Sequence, residues 1–177
     1  MFEAAAAIAA GLGLVPEDRK TQGLFLVHSV AINIMTASLR RILNFGLLSR
    51  GKERVIVGDL VERLSVKTPA QATPVMSLSG GNQQKCVLAR FIAADCRVLL
   101  LDEPTRGVDV GAKREIYELL FRLVAERRLA IVMASSELPE VLGVCDRIYV
   151  LREGRVTGEL AAATASEEDV MHLATLH

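Results

Sequence analysis

No Gly-x-x-x-x-Gly-Lys-Ser/Thr loop occurs anywhere in the 177 residues, so the usual backbone cradle for the β and γ phosphates of a nucleotide is missing. Neither sign of charge prevails. Lys plus Arg and Asp plus Glu stand at 21 each, so no global field draws the chain to nucleic acid or anionic lipid, and recognition must be local. The three cysteines, Cys86, Cys96 and Cys145, lack Cys-x-x-Cys spacing and sit among apolar neighbours, which reads as buried reduced thiols of a cytosolic protein. His28, His172 and His177 form no i, i+4 pair, which argues against a zinc-type site. No apolar run approaches bilayer length, the longest being stretches such as Val98 to Leu101 and Ala130 to Ala134. The alanine-rich opening carries Glu3 where a signal peptide has a basic start, and is read as a helix.

What is present predicts one domain of the α/β class with a helical excursion. A helix over residues 2–10 leads to a strand, Leu12 to Val15, that stops at Pro16 and a charged turn. From Ser29 to about Leu64 the pattern is helical, with Val57, Leu60, Val61 and Leu64 on one face and with Gly46, Gly51 and Gly58 breaking it into pieces. Lys67 to Pro74 is an extended linker, and a helix then starts at a Ser-Gly-Gly turn with Val87, Leu88, Phe91 and Ile92 inward. Val98 to Leu101 and Leu129 to Ala134 have no polar alternation and read as buried strands of a parallel sheet. Between them a helix runs from about Gly111 to Arg127, with Ile116, Leu119, Leu120, Leu123 and Val124 inward and Glu118 paired to Arg122. This strand, helix, strand order is a right-handed crossover whose strand ends, at Asp102, Glu103, Ser135 and Ser136, open onto one shared site. A short helix near Glu137 to Gly143, a hairpin of Arg147–Leu151 and Arg155–Gly158, and a helix capped at Ser166 complete the chain.

Two segments carry chemistry. Ser79-Gly80-Gly81 at a helix start presents unpaired N–H groups at the positive end of the helix dipole, and glycine lets an anion come close. Three such residues alone read better as an ordinary turn with a Ser cap. The flanking Asn82-Gln83-Gln84-Lys85 and the acidic strand downstream favour a phosphate site. Asp102, at the end of a strand, is placed to bind Mg²⁺, and Glu103, one residue on, to address an attacking water.

In order along the chain, Leu78 to Lys85, Leu99 to Pro104 and Thr105-Arg106-Gly107-Val108-Asp109 resemble the signature motif, the Walker B strand and the D-loop of an ABC-transporter ATPase. Pro16 to Lys20, Asp109 to Lys113 and Ser135 to Glu140 narrow the resemblance to one branch. It is similar to the C-terminal nucleotide-binding half of the duplicated ATPase subunits of bacterial ribose, galactose and xylose-type importers. The resemblance implies a partial P-loop NTPase-like parallel sheet that lacks its phosphate-loop portion, with a helical subdomain over about 24–90, a core and hairpin over 91–160 and a helical tail over 161–177. It implies ATP and Mg²⁺ as ligands. Glu103 would be catalytic and Asp102 the Mg²⁺ ligand, Ser79, Gly80, Gly81 and Asn82 would meet the phosphate of a nucleotide held on an opposite half, and Asp109 would act across that interface. The implied partners are a second nucleotide-binding domain, membrane permease subunits and, indirectly, a sugar-binding protein, with no nucleic acid. The implied place is the cytoplasmic face of the bacterial inner membrane.

Three departures from the family pattern set further expectations. Ser136 stands where most of the family carry a histidine that contacts the γ phosphate, which weakens hydrolysis at this half's own site; the alternative is that it only caps the helix that follows. Glu17 stands near the family's glutamine that senses the membrane subunit, or is simply part of a solvated charged turn. With the phosphate loop missing, Met1 falls inside the family's fold, and the chain is expected neither to hydrolyse ATP alone nor to cover all of its apolar surface. A non-catalytic module that donates its signature face, or a gene remnant, without ATP hydrolysis of its own is the other reading.

Overall fold

The computed structural model describes residues 4–175, which divide into two units, one ending at Val132 and the other beginning at Met133. In the first, α1 (Ala4–Ala9) is the described part of the alanine-rich helix; Phe2 and Glu3 of that expectation lie outside the described residues. Strand β1 (Leu12–Val15) follows as expected. Helix α2 (Val30–Met35) starts at Ser29, whose hydroxyl accepts the Ile32 N–H at 3.2 Å. A hairpin of β2 (Leu43–Asn44) and β3 (Leu47–Leu48) comes next, and then α3 (Arg50–Arg63).

That hairpin corrects the helical reading of residues 29–64. Phe45 and Gly46 take φ of 49° and 81°, the paired left-handed geometry of a tight two-residue turn. Gly51 and Gly58, expected to break the helix, lie inside α3, because an interior glycine costs a helix only about 1 kcal/mol. Val57, Leu60 and Leu64 are buried along one face, as the spacing predicts.

Helix α4 (Gly80–Ala93) is the centre of the unit: all its residues except Gly80, Asn82 and Arg90 are buried. A helix enclosed on every side has to satisfy its polar groups internally. Arg90 Nε donates to the Asn33 carbonyl at 2.8 Å, and Lys85 Nζ donates to the Ser65 carbonyl at 3.1 Å and to Glu115 at 2.7 Å. Cys86, in the same helix, is fully buried, and burial pushes its thiol pKa up to about 12.

Strand β4 (Val98–Asp102), α5 (Val110–Arg127) and β5 (Ala130–Ala134) complete the unit, β5 continuing across the division. The sheet order is β1-β4-β5, and β1 runs parallel to β4 with Leu12 opposite Val98 and Val15 opposite Leu101. The chain is therefore of the α/β class with a parallel sheet, as predicted. The expectation of strands buried on both faces is corrected. Leu99 and Leu101 are buried at 0% and 2% exposure, but Leu12, Leu14, Leu100 and Val132 are 38%, 55%, 39% and 61% exposed. An unbroken apolar run reports strands made for two covered faces, and here one face is uncovered. Two helix details differ as well: Val124 is exposed, and Glu118 pairs with Arg114 at 2.9 Å, not with Arg122. Arg122 instead donates to the Arg63 carbonyl at 2.7 Å, an orphan acceptor at the end of α3.

The second unit holds α6 (Leu138–Val144), the hairpin of β6 (Arg147–Arg152) and β7 (Arg155–Ala161), and α7 (Glu167–Thr175). Ile148, Val150 and Val170 are its buried centre, with Leu138, Leu160 and Leu173 packed around them. The expected cap at Ser166 is a reciprocal box: Ser166 Oγ accepts the Asp169 N–H at 3.2 Å, and Asp169 accepts the Ser166 N–H at 2.9 Å. Cys145 is half-buried, and all three cysteines are free thiols. His177 lies outside the described residues. No helix among the described residues is long and apolar enough to cross a membrane.

Candidate functional site

The extended residue Ser79 ends the approach to α4, at φ −61° and ψ 157°, yet its hydroxyl caps no backbone amide. It accepts a hydrogen bond from Asn82 Nδ2 at 2.8 Å, while Asn82 Oδ1 accepts the Lys67 N–H at 2.8 Å. Asn82 thereby joins the Lys67 linker to the helix start and fixes the Ser79 side chain. Without a side-chain cap on its first turn, this helix start keeps the character of an anion site.

Gly80 and Gly81 are required by their neighbours. A Cβ on Gly80 would lie 2.7 Å from an Arg19 guanidinium nitrogen and 3.0 Å from the Gly107 carbonyl, and one on Gly81 would lie 2.7 Å from Ala112 Cβ. The start of α4 thus meets both the loop after β4 and the first turn of α5 at a separation that only glycine permits.

Arg19 holds this junction, a role that its place in the Pro16 to Lys20 segment did not reveal. The residue is 7% exposed, and its side chain donates to the Arg106 carbonyl at 2.6 Å and the Gly107 carbonyl at 3.0 Å. Burial lowers its pKa from the usual arginine value. Next to it Asp18 accepts the Lys20 N–H at 2.9 Å and the Thr21 N–H at 3.3 Å; hydrogen bonding from Thr21 and then Lys20 holds its carboxyl below the ordinary range. Glu17 forms an ion pair with Arg106. Of the sequence-predicted residues, Glu17 and Gly80 are therefore brought against one loop, Arg106-Gly107, which leads to Asp109. Asp109 itself caps α5, accepting the Ala112 N–H at 2.9 Å.

The carboxylates lie at the end of β4. Asp102 is exposed and Glu103 half-buried, the latter with φ of 45°, a left-handed backbone that a glutamate adopts only when its surroundings impose it. The tight turn behind it, with the Arg106 N–H donating to the Glu103 carbonyl at 3.0 Å, supplies that constraint. Among the described residues no group of three or more His, Cys, Asp or Glu gathers as a metal site. Asp102 supplies one carboxylate, which fits Mg²⁺ in the way that ion is commonly held, by one or two carboxylates together with phosphate oxygens and waters.

Gln83 and Lys85 face inward rather than toward a ligand. Gln83 Nε2 donates to the Leu78 carbonyl at 3.2 Å and the Val75 carbonyl at 3.3 Å. Lys85, 3% exposed at its side chain, and then Lys67 hold the Glu115 carboxyl below its usual pKa. Arg19 and Gln83 also line a cavity of about 400 Å³, and Arg19 Nε and Gln83 Oε1 are both buried without a hydrogen-bond partner.

In the second unit Ser135 Oγ donates to Glu140, which is 4% exposed, and accepts the Glu137 N–H at 3.1 Å. The capping position of α6 is Glu137, without a side-chain cap, and the Ser135 hydroxyl ties the turn before it to Glu137 and Glu140. The sequence drew attention to both serines and could not separate them.

Comparison with known proteins supplies the frame for these features. The ABC transporter family profile matches residues 5–106. The chain is 54% identical over 170 residues to the arabinose import ATP-binding protein AraG 1 of Burkholderia cenocepacia, a match covering 95% of this chain and 34% of that protein. It is 49% identical over 169 residues to the ribose import ATP-binding protein RbsA of Yersinia pestis bv. Antiqua, covering 96% of this chain and 33% of that protein. The chain thus spans about a third of the length of the curated relatives it matches. Among solved structures it is similar to cbiO1 from Clostridium perfringens, part of the ABC transporter complex cbiONQ, with a TM-score of 0.74, 27% identity and coverage of 93% of this chain and 62% of that one. An ATP-binding cassette in a post-hydrolysis state, bound to ADP and Pi, aligns with a TM-score of 0.72 at 19% identity over 92% of this chain and 68% of that one.

Proposed function

Because the chain belongs to the ABC transporter family, we propose that it forms part of the ATP-binding component of a carbohydrate importer, its signature edge completing a composite site with a second nucleotide-binding domain. The observation that carries this reading is the start of α4, where Ser79, Gly80 and Gly81 are held in place while the Ser79 hydroxyl caps no amide. The carbohydrate class is supported by relatives named for arabinose and ribose import.

In this proposal residues 24–90 are the helical subdomain, 91–160 the core and hairpin, and 161–177 the tail. The first amides of α4 and the Ser79 hydroxyl bind the γ phosphate of an ATP held on the opposite half and stabilise the charge that develops on it. Glu103 polarises the attacking water for in-line displacement, and Asp102 contributes one oxygen ligand to Mg²⁺. Bound Mg²⁺ would offset phosphate charge in the transition state. Glu17, paired with Arg106, links a membrane-subunit contact to the loop that ends at Asp109, which acts across the domain interface. Ser136 occupies the switch position in place of histidine and weakens hydrolysis at this half's own nucleotide. Permease subunits at the cytoplasmic face of the inner membrane, and indirectly a sugar-binding protein, are the partners.

The test is ATPase turnover of the longer parental protein carrying Ser79→Arg. Loss of turnover with nucleotide affinity retained supports the composite site, and unchanged turnover overturns it. A second reading, a module that donates its signature face without hydrolysis of its own, is favoured by Ser136 at the position where the family carries a histidine. It predicts that the 177-residue chain neither binds ATP nor releases phosphate by itself.

A further inference from the structure

Away from the nucleotide-facing residues, the ends of α3 and α5 and the α4 residue Ile92 enclose a second cavity, of about 160 Å³. Its floor is apolar: Leu60, Leu64, Ile92 and Leu123 are each no more than 4% exposed. Its rim is cationic. Arg63, Arg122 and Arg127 line it against a single carboxylate, Glu126.

The partners of these arginines leave guanidinium N–H donors to spare. Arg122 spends one donor on the neutral Arg63 carbonyl at 2.7 Å. Arg63 meets Asp59 at 3.4 Å in a contact whose side chains are 42% and 59% exposed, which is weakly neutralising in water. Arg127 is disfavoured as a cation first by burial and then by Arg63 and Arg41, with Asp95 and Asp59 acting the other way. Arg41 is anchored on the Ala93 carbonyl at 2.5 Å. The last turns of α3 and α5, where Arg63 and Arg127 sit, offset part of this charge through the helix dipoles. What remains is a small apolar-floored recess ringed by guanidinium groups, each able to hold two oxygens of one anion.

We propose that this cavity, bounded by Leu60, Ile92, Arg63, Arg122 and Arg127, binds a small organic or inorganic dianion of the dicarboxylate or phosphomonoester kind. Its volume is below the range of drug-sized ligand sites, which limits the occupant to a few heavy atoms beyond its charged groups. The apolar floor favours a dianion with a short carbon spacer over a bare ion, because a methylene placed there leaves water.

The experiment is calorimetric and NMR titration of the 177-residue chain with succinate and, separately, with inorganic phosphate, at about 0.15 M ionic strength so that diffuse attraction is screened. Saturable binding with a Kd of about 1 mM is expected, with amide shifts at the ends of α3 and α5. Arg127→Gln should weaken it about tenfold, and so should Arg63→Gln, a surface change that keeps the proposal testable if the first variant does not fold. Arg155→Gln, the same loss of charge in the hairpin of the second unit, should leave it unchanged. Stronger binding of succinate than of phosphate assigns the dicarboxylate class, and the reverse order the phosphoryl class. Absence of saturation with both probes, or equal weakening by all three variants, overturns the proposal.

Discussion

At the start of α4, Gly80 and Gly81 stand within contact distance of Arg19, Gly107 and Ala112, while at the end of β4 Asp102 is exposed and Glu103 sits on left-handed backbone. The first region is held by buried donors and by steric fit; the second is shaped by one tight turn and otherwise open. Under the proposed function, the difference follows from what each region would have to meet. Backbone amides give useful charge only if their direction is fixed in advance, so the donor edge is built rigid. Carboxylates that share an ion with phosphate oxygens gain their remaining partners when the nucleotide arrives.

The sharpest way to break this comparison is at its open end. Glu103→Gln in the parental protein should lower ATP turnover by about a hundredfold to ten-thousandfold while leaving the denaturation midpoint unchanged, as measured by steady-state phosphate release and urea unfolding. Unchanged turnover would remove Glu103 from the chemistry. In the strand that carries it, Leu99→Ala should cost about 3 kcal/mol and Leu100→Ala about 1 kcal/mol or less, because only the first leaves a cavity. Equal costs would show that the exposed face is covered in solution.

The rigid end is probed by crowding and by disconnection. Gly81→Val should cost about 2 kcal/mol, since its Cβ cannot coexist with Ala112 at the present spacing. Arg19→Met, which leaves the Arg106 and Gly107 carbonyls without their donor, should cost about 1.5 kcal/mol and increase hydrogen exchange in the loop ahead of Asp109. The smallest effect is a pH dependence. Glu115 is held below its usual pKa by Lys85 and Lys67, so its contribution is present above about pH 4.3 and is lost as pH falls through the depressed value. Glu115→Gln should therefore flatten the acid limb of a stability profile, whereas an unchanged limb would place acid sensitivity elsewhere.

The parts legible in the sequence were those with a local signature. Strand β1, the 14-residue α4, and the Glu153-Gly154 turn between β6 and β7 all announce themselves through periodicity or turn residues. Arg19 was not legible: it sits in a charged turn that reads as solvated, yet its partner carbonyl on Arg106 lies 87 residues away in sequence. The β2–β3 hairpin escaped because each strand is two residues long, too short for any period to register. Asn82, assigned to a phosphate by resemblance, is engaged with Ser79 and Lys67, so its effect on a ligand would pass through Ser79. The open face of the sheet was legible only as an apolar run, because composition reports what a strand can bury and not whether a cover is present.

The three free thiols place a graded set of chemical reporters along the chain. Cys86 is fully enclosed in α4, and Cys145, in the second unit, is half-buried with its thiol also pushed up by burial. At neutral pH an alkylating reagent should modify Cys145 through small excursions of its own unit, whereas Cys86 must wait for α4 to leave its neighbours. Mass-resolved labelling over time would then read the lifetimes of the two halves from a single unmodified sample, with no fluorophore or added mutation.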